Sequence, residues 1–142
     1  MIAAKGPRTR DEDPAKAPIF WQRAKEYRES MYDSLGKDRW EAAAGAAIHC
    51  MISASDAVTV ALSGSRCAAQ DHGGAPTVLL EKAATVADVE KATSRLNKAL
   101  SIKSRVEYEG KRTTRKDAES LKTHADRFFN WAQSALPMEF RR

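Results

Sequence analysis

The stretch Trp40-Glu-Ala-Ala-Ala-Gly-Ala-Ala-Ile-His-Cys-Met51, continued to Gly64, decides how this chain folds. Trp40, Ala44, Ala47, Met51, Ser55, Val58 and Leu62 recur at spacings of three and four, the period of an α-helix with a buried face. Asp38 stands where an N-cap belongs, and Gly64 stands where the helix ends. The run from Ala42 to Ala47 carries almost no side-chain bulk. Another helix can therefore approach its backbone closely, and the large groups that fill the core must come from that neighbour. The expectation is a long central helix, the most buried in the molecule.

Working outward toward the N-terminus, Phe20, Ala24, Tyr27, Met31 and Leu35 form one apolar stripe. Pro18 suits the start of that helix and Gly36 its close. Residues 1–17 mix prolines and opposite charges with almost no large apolar group, which predicts a disordered tail. On the other side, Gly64 to Leu80 is a hinge that separates the central helix from a second set of helices. Pro76 to Ala84 reads as a short helix, and a longer one begins near Asp88. On the longer one Val89, Leu96 and Leu100 share one side, while Lys91, Arg95, Lys98 and Arg105 gather on the other. The apolar period lapses around Glu109 to Thr113, and Thr114-x-x-Asp117 reads as a capping box. Ala118, Leu121, Ala125, Phe128, Ala132 and Leu136 then line the last helix, which stops at Pro137. No stretch alternates like a strand. The fold class is all-α, an up-and-down helical bundle of four to five helices over residues 18–137, with a short tail at 138–142.

A chain of 142 residues, 42% hydrophobic, supports one core and is short for two. No apolar run approaching the ~20 residues of a membrane span stands out, and the first residues lack the apolar segment of a secretion signal. The expectation is a cytoplasmic protein with no membrane partner. Cys50 and Cys67 lie far apart and outside any metal-binding pattern, so they read as thiols and not as a staple or a zinc site. No metal or other cofactor is expected. The net charge of +5 and pI near 9.4 suit an anionic partner, although 19 acidic residues are interspersed with the 24 basic ones.

Three groups of residues are candidates for chemistry. His49 and Asp56 lie two turns apart on the central helix, about 10 Å along its axis. Each reads as a polar group bonded to a neighbouring helix, and a buried Asp56 would need a donor from an arginine or the hinge. In the hinge, Asp71 and His72 precede Gly73-Gly74, where a ligand can reach flexible backbone, or where a turn simply uses them. Arg95, Lys98, Lys103, Arg105 and Tyr108 form a basic surface with an aromatic able to stack on a base. Glu90, Glu107 and Glu109 dilute it. His124 and the three tryptophans read as packing groups.

The order of these features resembles the HEPN superfamily of small helical-bundle domains. Carrying the resemblance are Trp40-Glu-Ala-Ala-Ala-Gly-Ala-Ala-Ile-His-Cys-Met51, Asp71-His72 with Leu79-Leu80, and Arg95-Leu-Asn-Lys-Ala-Leu100 with Val106-Glu-Tyr108 before a final helix. It implies an antiparallel bundle, a homodimer, RNA or nucleotide as ligand, a nucleotidyltransferase-type partner, and a toxin-antitoxin or defence setting. Ribonuclease members of that superfamily carry an arginine and a histidine four to six residues apart. Arg66 and His72 fit that spacing, as catalytic arginine and histidine. They sit in the hinge, however, and not at the start of a late helix. The reading is therefore a non-catalytic HEPN-like binding module for a nucleotide, RNA or partner protein. The alternatives are a metal-independent endoribonuclease toxin using Arg66 and His72, and a purely structural protein-interaction module.

Overall fold

From Cys50 to Val60 the central helix is buried on every side. The computed structural model describes residues 6–141, leaving aside the side chains of residues 69–71. Among the described residues the chain forms strand β1 (Thr9–Asp11), helices α1 (Ala17–Gly36) and α2 (Trp40–Ser63), strand β2 (Ser65–Cys67), and helices α3 (Ala75–Lys82), α4 (Val89–Glu109) and α5 (Arg115–Ala135). Short 3-10 segments lie at Pro14–Lys16, Ala69–Gly74 and Met138–Phe140. The architecture is an all-α bundle of five helices with one small two-stranded sheet.

Every residue of α2 from Cys50 to Val60 is buried, and Gly64 ends the helix in the left-handed conformation at φ 68°. α2 packs most extensively on α1 and then on α5. As its alanine run requires, the bulk comes from those neighbours: Trp21 and Met31 of α1, and Leu121 and Phe128 of α5, are all fully buried. Trp21 also stacks on Phe129 with ring centroids 4.4 Å apart, which ties α1 to α5. Such a pair adds about 1 kcal/mol beyond its burial. By length and composition α2 is able to cross a membrane, contrary to the reading of the sequence, yet 72% of its most apolar window is buried inside the bundle.

The turn between α1 and α2 differs from expectation. Asp38 does not cap α2; the N-cap is Arg39, with no side-chain bond. Asp38 instead takes φ 56°, a left-handed backbone that aspartate tolerates better than most residues, so that Arg39 N can donate to Ser34 O at 2.9 Å. Helix α1 ends at Gly36 as expected, and the left-handed residue of the turn follows two positions later at Asp38. At the other end, the Thr114 and Asp117 capping box forms as the sequence indicates.

The strand pair is the larger departure. Residues 6–17, read as part of a disordered tail, hold β1, which pairs antiparallel with β2 in the register Thr9 with Cys67, Arg10 with Arg66 and Asp11 with Ser65. Glu12 secures it through Arg66 at 3.2 Å, with the two side chains 10% and 15% exposed, and Glu12 N donates to Gly64 O. Because both side chains are largely out of solvent, removing Glu12 would leave Arg66 as a largely buried charge without its ion pair. β1 is exposed throughout, and β2, buried at Ser65 and Cys67 and half-buried at Arg66 between them, is too short a run for its alternation to be read from sequence. Residues 1–5 lie outside the described residues.

Two glycines make the packing testable. A Cβ built on Gly45, inside α2, meets no atom within 4 Å, so Gly45→Ala should gain about 1 kcal/mol in urea unfolding from helix propensity alone. A Cβ on Gly74 would land on the Pro7 ring. Gly74→Ala should therefore loosen the N-terminal segment and speed proteolysis before Ala17, with the helix content measured by circular dichroism unchanged.

Candidate functional site

Lys91, Arg95 and Lys98 follow one another at four and three residues along α4 and so stand on one face of that helix. That face borders α5, where His124, Arg127 and Trp131 are spaced by three and four. Between the two helices opens a cleft of about 380 Å³, walled by Lys91 and Arg95 on one side and Arg127, Asn130, Trp131 and Ser134 on the other, with Asp88 at one end. The indole of Trp131 is fixed there, because Nε1 donates to Ala87 O at 2.8 Å and the ring rests tilted on Phe128 at 5.5 Å.

Cations outnumber carboxylates in this cleft, where Asp88 is the one acidic residue of the lining. Among the described residues, none of Lys91, Arg95, Lys98 and Arg127 forms an ion pair, whereas most acidic groups near α4 and α5 are committed elsewhere. His124 registers the result. Burial first, then Arg95, Lys98 and Arg127, hold its pKa below the ordinary histidine value. Its Nδ1 is buried without a hydrogen-bond partner. Like charges gathered at a low-dielectric wall raise the local concentration of anions.

The remaining basic candidates fare differently. Lys103 pairs with Glu107 at 3.8 Å, and Arg105 Nη2 donates to Asp117 Oδ1 at 3.1 Å. Tyr108, 93% exposed on the last turn of α4, touches no aromatic ring. The densest basic stretch of the sequence is thus largely neutralised, and the stripe one to three turns earlier is not. Sequence reading missed Arg127, Asn130, Trp131 and Ser134. Their spacing along α5 was available as a signal, but nothing local says that this edge faces the basic side of α4.

The hinge residues assemble into a second neighbourhood. His72 is half-buried, and burial, followed by the charges of His49, Lys103 and Arg66, lowers its pKa. Arg66 is engaged: its Nε donates to Glu12, its Nη1 to Cys67 O at 3.5 Å, and its guanidinium lies 5.2 Å from the Phe20 ring centroid. The side chain of Asp71 lies outside the described residues. His49 is not bonded within the bundle but sits on the surface, its ring 5.1 Å from that of Tyr27. Cys50 and Cys67 are both buried and form no disulfide, and burial pushes the Cys50 thiol up to about 12.

Asp56 is 9% exposed in the middle of α2. Burial pushes its carboxyl up to about 7, and Arg66 and Arg23 only partly offset this. The hydrogen bonds of Arg66 go to Glu12 and Cys67, so that arginine supplies Asp56 with field and not with a donor.

The chain matches no protein-family model, no curated protein and no solved structure.

Because the folded protein holds the Asp56 proton more tightly than the unfolded chain, stability attributable to this group falls as pH rises from the ordinary carboxyl value to about 7, then levels. Asp56→Asn should remove that loss. Thermal unfolding should show the variant ahead of the parent at pH 8, with the gap closing toward pH 4. Equal gaps at both ends would show that Asp56 is not a buried acid of this kind.

Proposed function

We propose that the chain is a non-catalytic, HEPN-like binding module that holds single-stranded RNA, or a nucleotide as its smallest unit, in the cleft between α4 and α5. The observation that carries this reading is the group of three cations without ion pairs that line the cleft, Lys91, Arg95 and Arg127, with Lys98 one turn further along α4, beside the immobilised indole of Trp131. Phosphate contacts by lysine and arginine supply most of the sequence-independent affinity for nucleic acid, and aromatic faces accept any base. A cleft of about 380 Å³ is of the size that takes a nucleotide-scale ligand. Asn130 and Ser134 add groups able to hydrogen-bond base edges or ribose.

The endoribonuclease alternative draws on the convergence of His72, His49, Arg66 and Lys103. In its disfavour, Arg66 is already satisfied by Glu12, Cys67 O and Phe20, which leaves less of it for a scissile phosphate. The homodimer belongs to the same proposal, and light scattering coupled to gel filtration checks it.

Fluorescence anisotropy with a labelled oligouridylate tests the binding reading. Each phosphate contact to a single strand contributes about −0.7 to the slope of log affinity against log salt, so four contacts should give roughly −3. Arg95→Ala and Arg127→Ala should each weaken binding and flatten the slope by about 0.7. Lys103→Ala, already paired with Glu107, should change affinity less than about twofold. Absence of binding at ~50 mM salt, or a slope indifferent to Arg95 and Arg127, would overturn it. Oligouridylate cut by the parent and left intact by His72→Ala would instead establish the nuclease.

A further inference from the structure

Beside the cleft, one turn of α5 before Arg127 of its wall, stands a titratable group that phosphate contacts alone do not use. His124 is half-buried on α5, one turn from Arg127 and Phe128. In the free protein no hydrogen bond reaches its buried Nδ1, so no partner there favours either protonation state, and burial followed by the surrounding charges sets the balance. The charges that act on it are Arg95 and Lys98 from α4 and Arg127 from its own helix, while the carboxylates at the start of α4, Asp88 at one end of the cleft and Glu90, are not among the groups that shift it. The acidic groups of α5 are turned to other duties. Asp117 closes the capping box and binds Arg105, Glu119 holds Arg115, and Asp126 serves Arg28, Lys122 and Tyr32 against α1. On α2, the other helix that packs heavily on α5, Glu41 accepts from Thr113 N, and Asp56 lies in the field of Arg66 and Arg23. Burial and these cations together therefore disfavour the imidazolium in the free protein.

An anion bound among Arg95, Lys98 and Arg127 reverses this balance. It cancels the repulsion that these side chains exert on an imidazolium, and its oxygens offer an acceptor to a ring N–H. We propose that an anionic ligand enters the α4/α5 cleft together with one proton from solvent, which settles on His124 and makes binding tighter as pH falls. This rests on the phosphate reading of the cleft and adds regulation to it. The sign follows from linkage: a group with greater proton affinity in the bound state takes up a proton on binding, so affinity rises as pH drops through its bound-state titration and is flat above it. No covalent bond forms or breaks.

Oligouridylate is the probe, since neither its phosphodiesters nor its bases change charge between about pH 5.5 and pH 8. Affinity is measured over that range at fixed ionic strength, and the His124 imidazole is followed by NMR with and without saturating probe. The expected result is about a fivefold tightening from pH 7.5 to pH 5.5, close to one proton's worth of linkage over part of that range. The bound state should also carry a visibly raised His124 titration midpoint. His124→Gln should bind like the parent at pH 8 and show a flat profile, while His49→Gln and His72→Gln should keep the parent's profile. Binding that depends on Arg95 and Arg127 but has the same pH profile in parent and His124→Gln, or a His124 midpoint unmoved by the probe, overturns the inference and leaves the phosphate reading standing. Failure of the probe to bind at any pH overturns both.

Discussion

Between Cys50 and Val60 the surface of α2 has no solvent side, and this burial is the constraint on which the rest of the molecule depends. A helix surrounded by protein needs neighbours on all faces, and its alanines and small polar residues leave the volume for others to fill. Trp21 and Met31 from one side and Leu121 and Phe128 from the other do so. The Trp21 stack on Phe129 then fixes the two flanking helices to each other as well as to α2.

The same burial makes polar groups on α2 expensive, and the N-terminal segment is part of the answer. Asp56 sits near Arg66 and Arg23, and its electrostatics are shared with Glu12, which belongs to the segment that folds across β2. Glu12 joins Arg66, Arg10 and Lys16, so one carboxylate organises the charges around the hinge. The consequence for function is local. Arg66, the arginine whose spacing to His72 suggests chemistry, is spent on holding β1 in place.

At the cleft between α4 and α5 the charges are mostly positive. The buried residues of α4 end at Ala99, and its later turns carry Lys103, Arg105 and Glu107 in ion pairs that screen one another. Lys91, Arg95 and Lys98 lie where α4 meets α5, and the residue α5 brings opposite them is another arginine. Concentration of like charge at one cleft, next to a histidine whose pKa burial and those cations lower, distinguishes this surface from the rest of a protein whose net charge is only moderately positive.

What the sequence determined by itself is what depends on neighbours three and four positions away. The period of α2, its end at Gly64, the stripe of α5, its capping box and the basic side of α4 were all legible, because helix faces and caps are local physics. Only the tertiary structure decided which charges are cancelled and which are left. That Glu12 reaches Arg66 across fifty-four positions and that Arg105 finds Asp117 are matters of packing. So are the burial of Asp56 and the meeting of Arg127 with Arg95. The β1–β2 pair was hidden for the same reason, since a three-residue strand stabilised by a distant ion pair leaves no period to read. Coulomb interactions and burial act through space, and chain order specifies space only after the bundle has closed.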